Sequence, residues 1–193
     1  MDNDVNAAAV GAWVTSGATR DSIAFLNLGT GLAAGIILDG RLWQGARGTV
    51  GEIGMISFDP DGPEGPDGIP GGLETCASGS GIAWQAGGES ATSVLARADV
   101  DADAAQIRDR LFEAVATSVR ILILTLDVDE VLLGGGLTRM GPSLMEGAER
   151  VMRGWERRSE FMASVDLTAR ARMLDPDVPL AAIGAAMRGA GRG

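Results

Sequence analysis

The 193-residue chain contains no histidine, no lysine and no tyrosine, and a single cysteine, Cys76. Those absences exclude Ser-His-Asp triads, Cys-His nucleophiles, Walker and Schiff-base lysines, and Cys/His zinc sites. Chemistry must come from carboxylates, hydroxyls, backbone amides and a borrowed metal ion. Cys76 has no partner for an internal disulfide, in keeping with a reducing compartment, and reads as a buried, inert thiol rather than a nucleophile. All sixteen cations are arginines, set against 26 carboxylates for a net charge of −10. That balance argues against nucleic-acid binding through this segment. No apolar run approaches the roughly 18 residues of a transmembrane helix, and the acidic start Met1-Asp2-Asn3-Asp4 is unlike the basic head of a signal peptide. The expected address is cytoplasmic, with no membrane partner.

What is present is a chain of domain size, 46% apolar, whose patterning is readable in order. Val5, Ala8, Ala9, Ala12 and Trp13 recur at helical spacing. Ser22–Leu28 and Gly35–Leu38 are rich in strand formers, and Asp39-Gly40 is a hairpin turn into Arg41-Leu42-Trp43. Residues 59–72 hold four of the seven prolines and five glycines, which makes a loop, and Leu73–Gln85 returns to helix. Leu111, Val115, Val119, Leu122 and Leu126 stripe a long helix over Ala104–Leu126. Val131-Leu132-Leu133 is a short strand running into Gly134-Gly135-Gly136, and Pro142 opens another helix. Strict alternation from Val165 to Met173 predicts a half-buried strand, and Pro179 starts a last helix of small residues. A strand meander followed by alternating strands and helices indicates α/β.

Several residues could carry chemistry. Gly29-Thr30-Gly31 lies between two strands, where a dinucleotide fold would need a helix. A plain glycine turn and an anion-binding nest of free amides are both open readings for it. Asn3-Asp4 precedes the first helix, so Asp4 is either part of a helix cap or a carboxylate held as a general base. Glu52, flanked by glycines in an apolar stretch, needs hydrogen-bond donors from the backbone or from a polar ligand, and Glu74, at the start of a helix, suits the helix dipole. Gly134–Gly136, between strand and helix, permits close approach of a ligand. The acidic residues Asp59, Asp61, Glu64 and Asp67 lack the order of a calcium loop and read as solvated.

Taken in order, the stretches Asn3-Asp4-Val5-Asn6, Gly29-Thr30-Gly31-Leu32, Gly51-Glu52-Ile53-Gly54, Gly71-Gly72-Leu73-Glu74 with Ala77-Ser78-Gly79, and Val131-Leu132-Leu133-Gly134-Gly135-Gly136 resemble the ROK family of sugar kinases and sugar-responsive repressors. The resemblance implies the actin-like ATPase (ribonuclease H-like) fold, mainly the C-terminal lobe of a two-lobe kinase. Residues 1–18 would belong to the N-terminal lobe and 19–178 to the C-terminal lobe, with 179–193 packing back on the former. It implies ATP-dependent phosphorylation of a hexose, with Asp4 as base. Asn3, Glu52 and Glu74 would contact sugar hydroxyls, Gly29-Thr30-Gly31 the ATP phosphates, and Gly134, Gly135 and Gly136 the adenosine. The cofactors implied are ATP and Mg²⁺, and the assembly a homodimer.

Two departures qualify the resemblance. The family's zinc motif, a His after Gly-Glu-Ile-Gly and then C-x-C-G-x-x-G-C-x-E, is in register here, but Met55 stands at the His position and Gly65, Asp67 and Gly72 at the cysteines. Gly68, Gly71 and Glu74 are kept, and zinc is not expected. The family's D-x-G-G-T phosphate loop has no counterpart before Asn3. The chain is therefore expected to act as a C-terminal fragment with little turnover alone. Its alternatives are the sugar-sensing part of a repressor or a non-catalytic member.

Overall fold

The computed structural model describes residues 4–190, apart from the side chains of residues 188–190. Helix α1 (Asp4–Thr15) leads into a meander of β1 (Ile23–Leu28), β2 (Leu32–Leu38) and β3 (Arg41–Trp43). The β2–β3 turn places both Asp39 (φ 52°) and Gly40 (φ 68°) in the left-handed region, as a two-residue hairpin of this twist requires. After the 57–72 loop come α2 (Leu73–Ala77), α3 (Gly79–Gln85), α4 (Ala91–Ala96) and the long α5 (Ala102–Leu126). Then follow β4 (Glu130–Gly134), α6 (Pro142–Glu156), α7 (Glu160–Val165), β5 (Ala171–Met173) and α8 (Leu180–Ala190).

The five strands form one mixed sheet in the order β3-β2-β1-β4-β5. The meander pairs are antiparallel, whereas β4 runs parallel to both β1 and β5. β1 is buried on both faces, so its side chains divide between two cores. Ala24, Leu26 and Leu28 join α2, α5 and α6 on one face, while Ile23 and Phe25 join α1 and α8 on the other. Each such buried Leu, Ile or Phe contributes roughly 1.5–3 kcal/mol.

The second face is thin because its helices come unusually close. A Cβ on Gly11 of α1 would collide with the Leu180 carbonyl, and one on Gly184 of α8 with the carbonyl of Ala7. Gly35 of β2 likewise lies against Val5 and Ala9 of α1. Backbone thus packs on backbone across α8, α1 and the sheet.

The structure departs from the sequence expectations in four places. The Leu73–Gln85 helix is broken at Ser78, whose extended backbone (φ −130°, ψ 159°) ends α2 and whose hydroxyl caps α3. Two short helices, α4 and α7, occupy stretches with too few residues for a periodic signal. β2 begins at Leu32, three residues before the expected strand start, because Leu28 pairs directly with Leu32. The alternating run Val165–Met173 is strand only at Ala171–Met173. There Asp166 turns left-handed (φ 54°) to close α7, and the Thr168 hydroxyl and amide donate to Glu156. The alternation records a packed turn and not a pleat.

Replacing Gly11 by Ala is expected to cost roughly 1–3 kcal/mol by forcing α1 and α8 apart, lowering the melting temperature by several degrees. Gly154→Ala, at a helical position with open space around it, should instead gain up to about 1 kcal/mol. Thermal unfolding followed by circular dichroism checks both.

Candidate functional site

Parallel pairing of β1 with β4 sets Asn27 beside Gly134, so the turns that follow both strands emerge at one edge of the sheet. Such an edge, at the carboxyl ends of parallel strands, is where α/β folds hold ligands. The Asn27 side chain lies between the two turns, about 3 Å from the points where Gly29 and Gly135 would carry a Cβ. Gly135 has φ 97° and abuts the Leu28 backbone, and Gly134 leaves room for the Phe25 ring. These two glycines answer to packing. Gly136 alone faces open space, and with Thr92, Leu95, Leu137, Arg139 and Met140 it lines a cavity of about 290 Å³.

The Gly29-Thr30-Gly31 tip is held from behind. The Gly79 amide donates to the Gly29 carbonyl at 2.8 Å, and both the amide and the hydroxyl of Ser80 donate to the Thr30 carbonyl, the hydroxyl at 2.6 Å. The break at Ser78 is what turns the start of α3 toward the tip. Among the described residues the amides of Thr30 and Gly31 donate to no other protein group, so the tip presents free donors.

Three carboxylate-bearing segments meet β2 over four residues. Glu74 Oε2 accepts the Leu32 amide at 2.8 Å and fills the space that a Cβ on Gly31 would need. Gly51, next to Glu52, accepts the Ala34 amide at 2.8 Å. The Val5 carbonyl, next to Asp4, lies against Gly35. Asp4 and Glu52 are exposed, and Glu52 makes no side-chain bond to the 3₁₀ turn it precedes. Asn3 lies outside the described residues. One oxygen of Glu74 is therefore spent on the fold, a partner that sequence reasoning did not assign to it.

The 57–72 loop ahead of Glu74 is tied down by backbone and indole. Phe58 donates to Gly71 at 3.0 Å, Leu73 to Ile56 at 2.9 Å, and the Trp84 indole to the Glu64 carbonyl at 3.0 Å. Among the described residues no cluster of three or more Cys, Asp or Glu side chains is placed to hold a metal ion. Cys76 is buried behind the loop, and burial raises its thiol pKa from the ordinary 9.0 to about 11. Two features went unread in the sequence. Asn27 is the one polar residue in an otherwise apolar strand, a signal that was available. The α4 wall of the cavity gave none.

The sheet order, the parallel β1–β4–β5 half and the helices on both faces define the actin-like ATPase fold. The chain matches the model of the ROK family over residues 1–185 and belongs to that family. It is 33% identical over 140 residues to the N-acetylmannosamine kinase of Yersinia pestis (strain Pestoides F), covering 70% of this chain and 48% of that relative. The chain thus spans about half the length of the curated relatives it matches. Among solved structures, the ROK hexokinase from Thermus thermophilus superposes with a TM-score of 0.79 at 25% identity, over 100% of this chain and 66% of that one. The ROK family glucokinase from Streptomyces griseus, solved with glucose and AMPPNP, shares the fold with a TM-score of 0.75 at 24% identity, over 97% of this chain and 67% of that one. Among the described residues no helix is long and apolar enough to cross a membrane.

Glu74→Ala should free the Leu32 amide and speed its hydrogen exchange about tenfold or more, while Glu74→Gln, which keeps an acceptor, should not. Because the folded chain holds the Cys76 proton more tightly than the unfolded one, stability should be insensitive to this thiol below about pH 9. It should then fall between about pH 9 and 11. Cys76→Ala should flatten that part of a denaturant-monitored pH profile.

Proposed function

We propose that this chain binds a hexose along β2 and presents one of its hydroxyls for phosphorylation by MgATP. The observation that carries the reading is the anchoring of the Glu74, Glu52 and Asp4 segments at Leu32, Ala34 and Gly35 of one strand, beside the free amides of the glycine tip. Leu32 to Gly35 spans about 10 Å of strand, so the three segments meet β2 within the length of one small polyol. Carboxylates select neighbouring hydroxyls by accepting their protons in charge-assisted hydrogen bonds.

In this reading Glu52 and the free oxygen of Glu74 orient the sugar, with Asn3 as a further contact. Asp4 takes the proton of the attacking hydroxyl as it reaches the γ-phosphate. Gly29-Thr30-Gly31 donates amides to the phosphates, and the cavity beside Gly136 takes the adenosine. Mg²⁺ bound with the nucleotide would supply positive charge against the transferring group. Residues 1–18 and 179–193 serve the N-terminal lobe and 19–178 the C-terminal lobe, in a homodimer. The N-acetylmannosamine kinase relative and the hexokinase neighbour support a sugar kinase, and the fold leaves the sugar open. Turnover by this chain alone is expected to be slow, because a D-x-G-G-T loop is absent from its sequence.

Calorimetric titration with a panel of neutral hexoses and N-acetylmannosamine is expected to give saturable binding that weakens roughly 10–100-fold in Glu52→Ala. Asp4→Asn should leave sugar affinity within a few-fold, yet lower phosphoryl transfer from ATP by roughly 10²–10⁴-fold. Sugar binding indifferent to Glu52 would overturn the reading. Sugar binding without any MgATP binding would turn it toward a sensor.

A further inference from the structure

Asn27 is the polar exception in β1, whose other residues, Ile23, Ala24, Phe25, Leu26 and Leu28, are all apolar and buried. Its side chain is half-buried, and among the described residues no donor or acceptor meets its carboxamide. An apolar residue would fill the same place in the sheet without leaving a half-buried amide unpaired, which costs stability. The carboxamide is nonetheless given room. Nδ2 lies 3.1 Å from the point where Gly29 would carry a Cβ, and Oδ1 lies 2.9 Å from the corresponding point on Gly135. The fold draws no hydrogen bond from this side chain, yet two glycines keep it clear.

We infer that Asn27 donates its Nδ2–H to the phosphate chain of the nucleotide, between the cavity at Gly136 and the base Asp4. The inference rests on the phosphoryl-transfer reading above and adds a binding residue to it. Three observations choose a phosphate as the acceptor. The first is place. Asn27 stands between the free amides of the Gly29–Gly31 tip and the turn that leads to the Gly136 cavity, so a molecule spanning the two passes over it. The second is the face it shares. Residues paired across neighbouring strands point to one side, which sets Asn27 with Ala33 and, two residues along, with Gly35, against which α1 lies. Gly35 is about 8 Å away by strand geometry, so Asn27 looks into the space beside the start of α1, where Asp4 stands. The third is chemistry. The chain has no lysine to reach a phosphate, and a carboxamide beside free backbone amides extends a row of neutral donors.

The test uses adenosine, AMPPNP with Mg²⁺, and inorganic tripolyphosphate with Mg²⁺. In calorimetric titrations Asn27→Leu should weaken AMPPNP roughly 10–100-fold, the loss expected of one hydrogen bond to a charged group. Asn27→Asp, of the same shape but with acceptors only and a negative charge, should weaken it further. Adenosine should bind both variants within about twofold of the parent chain, a contrast that a merely structural Asn27 would not produce. The chain has three asparagines, Asn3, Asn6 and Asn27, so protein labelled with ¹⁵N-asparagine gives few carboxamide signals. The Asn27 pair is identified by its loss in Asn27→Asp. It should move with AMPPNP and with tripolyphosphate and stay still with adenosine, a readout on the parent chain that holds even if Asn27→Leu fails to fold. If AMPPNP binds, both variants bind it equally and the Asn27 pair stays still, the inference is overturned and the kinase reading stands. A pair that moves with adenosine and not with tripolyphosphate would place Asn27 against the nucleoside and overturn it as well. If neither AMPPNP nor tripolyphosphate binds the parent chain, the nucleotide half of the kinase reading falls and the inference with it.

Discussion

The parallel pairing of β1 with β4 is the constraint from which the rest of this molecule follows. The strands lie about a hundred residues apart in sequence and run the same way, so the turns after them must leave the sheet at one edge. Their register, with Asn27 beside Gly134, brings Gly29–Gly31 and Gly134–Gly136 within a side chain of each other. A parallel pair cannot be closed by a hairpin and needs a long crossover, here supplied by everything from β2 to α5. That crossover carries Glu52, Glu74 and the cavity wall from α4. One pairing therefore gathers a glycine tip, the segments that carry Glu52 and Glu74, and a pocket from parts of the chain with no sequence proximity.

Glycine serves two different physical ends in this chain. At Gly11, Gly184 and Gly35 it lets α8, α1 and β2 approach to backbone contact, which compresses the layer that holds Asp4. At Gly31 and Gly54 it leaves room for the Glu74 side chain, and at Gly135 it supplies a left-handed turn. Among the glycines of the two turns, the fold accounts for Gly29, Gly31, Gly134 and Gly135 by what they touch, and Gly136 faces the cavity. A glycine-rich motif is thus mostly a record of tight packing.

The 57–72 loop is positioned by restraints within the chain itself. Prolines restrict it, and backbone bonds from Phe58 and Leu73 close its neck. The Trp84 indole fastens its far end. Each contribution is of the order of a single hydrogen bond, about 1 kcal/mol net. Together they set Glu74 where one oxygen is fixed by the Leu32 amide.

By itself the sequence determined the inventory of possible chemistry, the α/β class, the principal strands and helices, and, through its ordered motifs, the family. These are local properties: residue types cannot be supplied by folding, and periodicity and turn residues act over a few neighbours. It misread Val165–Met173 because a packed turn can alternate apolar and polar residues as a pleat does. It missed the break at Ser78 because a hydroxyl cap and a helical Ser look alike until α3 is seen bonded to the hairpin tip. Only the tertiary structure decided that one oxygen of Glu74 is held by the Leu32 amide, that Asn27 stands between two glycine turns, and that Trp84 is pinned yet half exposed. Each of those facts depends on contacts between residues far apart along the chain, and pairing in the sheet, not any local preference, fixes those contacts.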